Sequence, residues 1–191
     1  MSPLATRQIN GLEVPAPGVF VLDKSHTQIG FVARHLMVTK VRGRFPEFEG
    51  TITFGEDLLD TTAEVTVQMA GLTTNDDGRD NHLRSSDFFE TDTYPTMHFV
   101  STGVRETGRG QWVLTGGLTI KGVTHSVDLD VTYEGVTADP WGGERVGFTI
   151  TGEIDREDWG LTWNVALESG GMLVSRKVKL ELEVEASRQQ A

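Results

Sequence analysis

The stretch VSRKVKLELEVEA, residues 174–186, decides the fold class of this chain. Apolar residues alternate with charged or polar residues through it, from Val174 to Ala186, with Arg176 as the exception on the apolar side. An extended backbone directs successive side chains to opposite faces, so one face would be apolar and the other charged. The pattern predicts a β-strand that is buried on one side only.

The same two-residue period recurs in residues 63–69, 123–133 and 146–154. Short connections, such as Lys121-Gly122, favour antiparallel neighbours, because glycine supplies the positive φ of a tight hairpin. Many one-sided strands have to share one interior, which predicts an all-β domain. The predicted strands cover residues 18–23, 26–35, 38–45, 48–55, 62–70, 95–103, 110–120, 123–135, 144–154 and 173–186.

Residues 75–90 depart from this period. Cap-forming residues, including Asn75, Asp76 and Ser85, precede short runs that end in apolar groups. Such a pattern predicts one or two short helices. Inserted between strands, they would cover one end of a barrel.

The length of 191 residues is typical of a single β domain. Residues 1–17 contain three prolines and are predicted to form a loosely ordered arm or an extra edge segment. The domain itself is expected over residues 18–186, and residues 187–191 are expected to form a frayed tail.

Charge and composition exclude several function classes. Asp and Glu number 28 against 17 Lys and Arg, for a net charge of −11, and no local Lys/Arg cluster stands out in the sequence. Repulsion from nucleic acid and from anionic lipid surfaces is therefore expected. There is no cysteine, which excludes disulfides and thiolate chemistry. The sequence shows no secretory leader and no apolar run near the ~20 residues of a membrane span, so a cytoplasmic protein without stable membrane insertion is predicted.

The sequence contains no recognisable catalytic or metal-binding motif. Its five histidines are scattered, without the H-E-x-x-H spacing of a zinc site, and no G-x-S-x-G elbow is present. We therefore predict no catalytic residues, no metal and no cofactor.

Four segments together resemble the YceI-like family of polyisoprenoid-binding, lipocalin-like proteins. They are LDKSHTQIGFVARHLMVTKVRGRFPEFEG (22–50), RDNHLRSSDFFETDTYPTMHF (79–99), GGLTIKGVTHSVDL (116–129) and DREDWGLTWN (155–164). The resemblance implies an extended antiparallel barrel of about eight strands. It also implies that the interior holds a long isoprenoid chain or a similar amphiphile, often in a homodimer.

Strand alternation identifies the residues that would face such an interior. Trp163 and Asn164 are added from the resemblance, as parts of the wall and its polar rim. His35 and Arg176 share the parity of inward residues, and Arg176 would meet an anionic head group. Polar ligand contacts are thus expected from His35, Asn164 and Arg176. The predicted wall consists of Ile29, Phe31, Phe45, Phe54, Val65, Val67, Leu83, Phe88, Phe89, Met97, Phe99, Leu118 and Trp163.

The favoured function is binding of a long-chain isoprenoid, such as a polyprenyl or quinone-like lipid, for carriage, storage or sequestration. One alternative is an enzyme that acts on an apolar substrate in the same cavity. Another is a dimeric scaffold whose barrel is filled by its own side chains. Gly43, Gly50 and Gly116 bear on this choice, because they either leave space for a guest or mark kinks in the strands.

Overall fold

A computed structural model describes residues 4–168 and 170–189 of the protein. It is an all-β fold with a single α-helix in this part of the chain. All ten strands predicted from the two-residue period are present, and two more precede them. The strands are β1 (Thr6–Ile9), β2 (Leu12–Pro15), β3 (Gly18–Leu22), β4 (Gln28–His35), β5 (Thr39–Arg44), β6 (Phe48–Phe54), β7 (Thr62–Gln68), β8 (Thr96–Gly108), β9 (Gln111–Ile120), β10 (Val123–Ala138), β11 (Glu144–Asp155) and β12 (Lys177–Arg188).

Eight antiparallel strands close into a barrel, as predicted. The hydrogen-bonded order runs β3, β6, β7, β8, β9, β10, β11, β12, and β12 returns to β3. The hairpin β4–β5 is an addition to this barrel. It pairs with β12 over residues 179–183, while β3 pairs with β12 over residues 186–188. The decisive stretch of the sequence therefore lies at the junction where the barrel closes.

Each end of the barrel is covered by a different segment. Helix α1 (Asp77–Arg84) begins at Asp76, whose side chain accepts a hydrogen bond from the Arg79 amide. The helix and the described residues of the loop 161–175 cover the end at which β12 begins, where Trp163 packs on His82. The β1–β2 hairpin covers the opposite end, where the Tyr133 hydroxyl donates to the Glu13 carbonyl at 2.8 Å. The prediction of one or two helices is met by this one α-helix.

The N-terminal segment is an ordered hairpin over residues 6–15 rather than a loose arm. Val14 is only 2 % exposed. The Arg188 guanidinium donates to the carbonyls of Pro17 at 3.1 Å and Ala16 at 2.9 Å. The tail predicted at 187–191 does not begin at Ser187, because Ser187 and Arg188 belong to β12. Residues 190 and 191 lie outside the described residues.

Inward side chains form two contiguous apolar clusters. One is built around Phe20, Leu72 and Val146, and the other around Ile120 and Trp159. None of the helices in the described part of the chain has both the length and the apolar character that crossing a bilayer requires.

Candidate ligand-binding cavity

The barrel is hollow. It contains a cavity of about 270 Å³, close to the lower end of the roughly 300–1,000 Å³ of typical ligand pockets. Almost every side chain around it is apolar. A filled barrel, which the scaffold alternative requires, is not what the structure shows.

Twelve of the predicted wall residues line this cavity. The wall residues that lie on β-strands were predicted from strand alternation, because each strand directs every second side chain inward. Leu83 belongs to α1, and Phe88 and Phe89 follow it, which supports the prediction that this segment contributes to the wall. The twelve are Ile29, Phe31, Phe45, Phe54, Val65, Val67, Leu83, Phe88, Phe89, Met97, Phe99 and Leu118.

The glycines at 43 and 116 make room for aromatic rings of the wall. The ring of Phe31 lies directly over Gly43, its cross-strand partner, and the ring of Phe99 covers Gly116. A Cβ at either glycine would overlap the ring. The two glycines therefore do not leave open space, because each accommodates a ring that a Cβ would displace. Gly116 also lies opposite the register irregularity of β8 between Ser101 and Gly103, as the bulge interpretation expects.

His35 and Arg176 lie outside the cavity, contrary to the prediction. His35 is exposed as the last residue of β4, two positions beyond the lining residue Ala33. The Arg176 side chain is 61 % exposed and binds Asp155 at 2.8 Å and Glu157 at 3.0 Å. Alternation identifies the face of a strand but not where the barrel wall ends, and both residues lie past that end.

Trp163 and Asn164 are also absent from the described residues that line the cavity. Trp163 packs on the rings of His82 and Phe88, with centroids 4.6 Å and 5.3 Å away, and so supports the wall from behind. Asn164 stabilises the loop 161–175. Its amide donates to the Val174 carbonyl at 2.8 Å, and its side-chain oxygen accepts from the Val174 amide at 3.0 Å.

The cavity has one buried cation that sequence reasoning missed. Arg156 is 4 % exposed and continues the inward row of β11, which includes Ile150 and Ile154. Its Nε donates to the Ser175 carbonyl at 2.9 Å, and its Nη1 donates to the Leu161 carbonyl. Its Nη2 is buried without a hydrogen-bond partner among the described residues. The parity of β11 was the available signal, since position 156 is in step with 150 and 154.

Burial lowers the pKa of Arg156 from its usual value, despite the opposing charges of Glu157 and Asp155. Arginine remains charged in proteins even so. The result is a guanidinium with an unused N–H group in a largely apolar wall, which also contains the partnerless hydroxyl of Thr61 among the described residues. Such a group can bind an oxygen acceptor on a guest molecule.

Asp80 fixes the helix that carries part of the wall. It is 4 % exposed and accepts from the Thr74 amide at 2.7 Å and the Thr73 hydroxyl at 3.0 Å. Burial opposes its ionisation, but the hydrogen bonds from Thr74 and Thr73 prevail and hold the pKa of Asp80 below its usual value. The neighbouring Arg79 donates to Thr74 as well, at 2.7 Å, so both side chains tie α1 to the end of the preceding segment.

Comparison with known proteins identifies the family. The family model described as the YceI-like domain matches residues 20–186. A UPF0312 protein of Staphylococcus epidermidis is 39 % identical over 170 residues, which cover 88 % of this chain and 96 % of that protein. The chain belongs to the YceI-like family.

Solved structures agree with this fold. BcnA of Burkholderia cenocepacia superposes with a TM-score of 0.74 at 22 % identity, over 86 % of this chain and 98 % of that one. A domain from Saccharophagus degradans superposes with a TM-score of 0.66 at 16 % identity, over 91 % of this chain and 100 % of that one. That domain is described as polyisoprenoid-binding and implicated in plant cell wall breakdown. The YceI-like barrel is thus common to all three chains.

Proposed function

We propose that the protein binds a long-chain isoprenoid lipid inside its barrel, for carriage, storage or sequestration. The observation that carries the proposal is the cavity inside the barrel, whose lining is almost wholly apolar. The description of the Saccharophagus degradans domain as polyisoprenoid-binding supports the same class of ligand. Catalysis is not part of the proposal, and His35, the residue on which an active site in the cavity would have depended, is exposed outside it.

The energetics favour an apolar chain as the guest. Each buried methylene-sized group contributes about 0.8 kcal/mol, so a five-carbon isoprene unit contributes about 3 to 4 kcal/mol when fully dried. Two such units would supply roughly 6 to 8 kcal/mol before the costs of ordering the chain and immobilising it. Water in the same space would find few hydrogen-bonding partners, because the lining offers few polar groups.

The guest of this proposal carries an oxygen-bearing polar group. Arg156 is the buried donor that this group would meet, in place of the His35, Asn164 and Arg176 expected from the sequence. An unpaired buried N–H costs about 1–3 kcal/mol, and an acceptor on the ligand would remove that cost. Phosphate and quinone oxygens both have this chemistry, and both fit the polyprenyl or quinone-like class.

The test is organic extraction of the purified protein followed by mass spectrometry. We expect an isoprenoid in stoichiometric amount. In the variant Ala63→Phe, a bulky side chain enters the cavity from β7, and retained lipid should fall several-fold. The control Val100→Phe adds a similar group on the outer face of β8, where Val100 is 49 % exposed, and should retain lipid like the parent protein.

The absence of isoprenoid from the parent protein, or equal lipid in Ala63→Phe and Val100→Phe, would refute the proposal. Thermal melts of both variants check that each remains folded. The homodimer implied by the family resemblance is a further part of the proposal. Light scattering at twice the chain mass of 21.0 kDa would support it. The cytoplasmic location expected from the sequence remains a prediction.

A further inference from the structure

Large apolar side chains are concentrated at one exposed end of the barrel. The turn between β4 and β5 exposes Leu36 by 42 %, Met37 by 57 % and Val38 by 76 %. Val165 and Met172, from the loop 161–175, are 45 % and 49 % exposed. The Leu36 amide donates to the Leu173 carbonyl at 2.8 Å, and the Leu173 amide donates to the Val165 carbonyl at 3.0 Å, so the two segments lie side by side. We call Leu36, Met37, Val38, Val165 and Met172 the apolar tip.

The turn between β4 and β5 has a backbone conformation that its two central residues disfavour. The Val38 amide donates to the His35 carbonyl at 3.1 Å, and the two central residues, Leu36 and Met37, have φ of 53° and 58°. A hairpin turn with two positive φ angles strongly favours Asn-Gly or similar pairs, because side chains with a Cβ are strained there. Two large apolar residues in this position are both strained and exposed. An external contact that buries both side chains would offset this cost.

A basic surface adjoins the tip. Arg34 on β4 pairs in register with Lys40 on β5, and Val32 lies between Arg42 on β5 and Lys179 on β12. By strand alternation these cations point outward, opposite to the lining residues. Six of the 17 lysines and arginines of this acidic chain lie on this one face. We call this set the basic face; it consists of Arg34, Lys40, Arg42, Arg44, Lys177 and Lys179.

The basic face corrects an expectation from the sequence. Residues 34–44 and 177–179 are far apart in the chain, and only the pairing of β4 with β12 brings them together. Arg42 binds Glu181, and Lys177 and Lys179 pair in register with Asp155 and Glu153 on β11. Among the described residues no carboxylate lies within ion-pair distance of Arg34, Lys40 or Arg44, and residues 28–44 contain no Asp or Glu. The positive charge of this surface is therefore concentrated on the β4–β5 hairpin, despite the net charge of −11.

The tip is continuous with the cavity. Ala33 and Val174 line the cavity, and His35, two residues after Ala33, forms a β-bridge with Val174. Leu36 and Leu173 follow directly outward from that bridge. The exposed apolar groups therefore begin where the wall of the cavity ends.

We propose that this end of the barrel docks on the surface of an anionic lipid bilayer. The apolar tip enters the headgroup region, and the basic face contacts the lipid phosphates. Acidic groups elsewhere on the barrel repel the bilayer only weakly, because salt screens charges separated by more than about 8–10 Å. A second copy of the chain fits less well, since a symmetric contact through the same surface would oppose one basic face to another.

The test is co-sedimentation of the full chain with vesicles of phosphatidylcholine, alone or mixed with phosphatidylglycerol, without added isoprenoid. We expect binding to the anionic vesicles, little binding to phosphatidylcholine alone, and release at high salt. Leu36→Asn with Met37→Gly supplies the favoured turn residues and removes two apolar groups, so the partition coefficient should fall about tenfold or more while the fold is retained. Lys40→Gln with Lys179→Gln should cause a similar loss, at about fivefold per charge.

Trp141→Ala is the matched control. Trp141 is 87 % exposed, in the loop between β10 and β11 at the opposite end of the barrel, and its removal should leave vesicle binding unchanged. Failure of the parent protein to bind anionic vesicles would overturn the proposal. So would an equal loss in Trp141→Ala, or a change from dimer to monomer in light scattering caused by Leu36→Asn with Met37→Gly, which would assign the tip to self-association. The vesicle assay needs no bound lipid, so its outcome is separate from that of the extraction experiment.

Discussion

Substitution of Gly43 by alanine tests how the cavity wall is built. A Cβ at this position would overlap Cζ and Cε1 of Phe31 and lie 2.9 Å from its Cε2, so the three atoms that it would meet first all belong to one ring. Gly43 has no positive φ, so alanine is compatible with the backbone. The main penalty therefore arises from the Phe31 ring, which has to turn away from the strand.

The change in the free energy of unfolding caused by Gly43→Ala is the sum of two opposing effects. Overpacking of a well-packed wall costs about 1–3 kcal/mol. The loss of backbone freedom in the unfolded chain offsets about 0.4–1 kcal/mol of this for a glycine-to-alanine change. Gly43→Ala should therefore lower the free energy of unfolding by roughly 1–2 kcal/mol. In a Phe31→Leu background the ring is absent, and the same change should be neutral or slightly stabilising.

Urea denaturation of the parent protein, both single variants and the double variant would measure this coupling. We expect a coupling free energy of about 1–3 kcal/mol between the two positions, well above the roughly 0.3–0.5 kcal/mol within which independent sites are additive. Additive effects would refute the role assigned to Gly43. In Gly43→Ala the displaced Phe31 ring should also occupy part of the cavity, and lipid recovered by extraction should decrease.

Three further predictions concern Arg156, Asp80 and Trp159. Arg156→Lys loses the forked donor, so competition binding should show about tenfold weaker affinity for a polyprenyl phosphate and little change for a hydrocarbon without a head group. Asp80→Asn should lower the free energy of unfolding at neutral pH by about 1.5–3 kcal/mol in chemical denaturation, because charged hydrogen bonds to Thr74 are lost. The pKa of Asp80 is lower in the folded protein than in the unfolded chain, where it is about 4. Ionised Asp80 therefore stabilises the fold fully above that unfolded pKa, and this stabilisation is lost as the pH falls through the folded pKa. The difference in free energy of unfolding between the parent protein and Asp80→Asn should become smaller in acid. Trp159→Phe removes the 3.0 Å hydrogen bond from the indole to the Leu118 carbonyl and should lower the melting temperature, whereas an unchanged melt would contradict this role.

Much of the fold could be predicted because a β-strand has a strict two-residue period. Alternation identified all ten predicted strands and the inward rows of the wall, including Ile29 and Phe31 on β4 and Met97 and Phe99 on β8. The N-terminal hairpin was harder to predict. Its four-residue strands are too short to show a clear period, and Val14 is buried only because the open end of the barrel is there to receive it.

The polar part of the site was predicted less well. His35 and Arg176 have the parity of inward residues, yet both lie past the end of the wall. Arg156 has the same parity and is buried, because the loop 161–175 folds over it and Leu161 accepts its hydrogen bond. Parity alone could not separate these cases, since burial at a barrel end depends on which distant segment covers it.

The strands, the face that each residue occupies and the apolar nature of the interior follow from local backbone geometry and side-chain chemistry, so the amino-acid order was enough to predict them. Where the wall ends, which buried cation meets the cavity, and the surface that Arg34 and Lys179 share beside the apolar tip depend on contacts between distant segments. β12 meets both β3 and β4, and such long-range pairing depends on how the whole sheet closes.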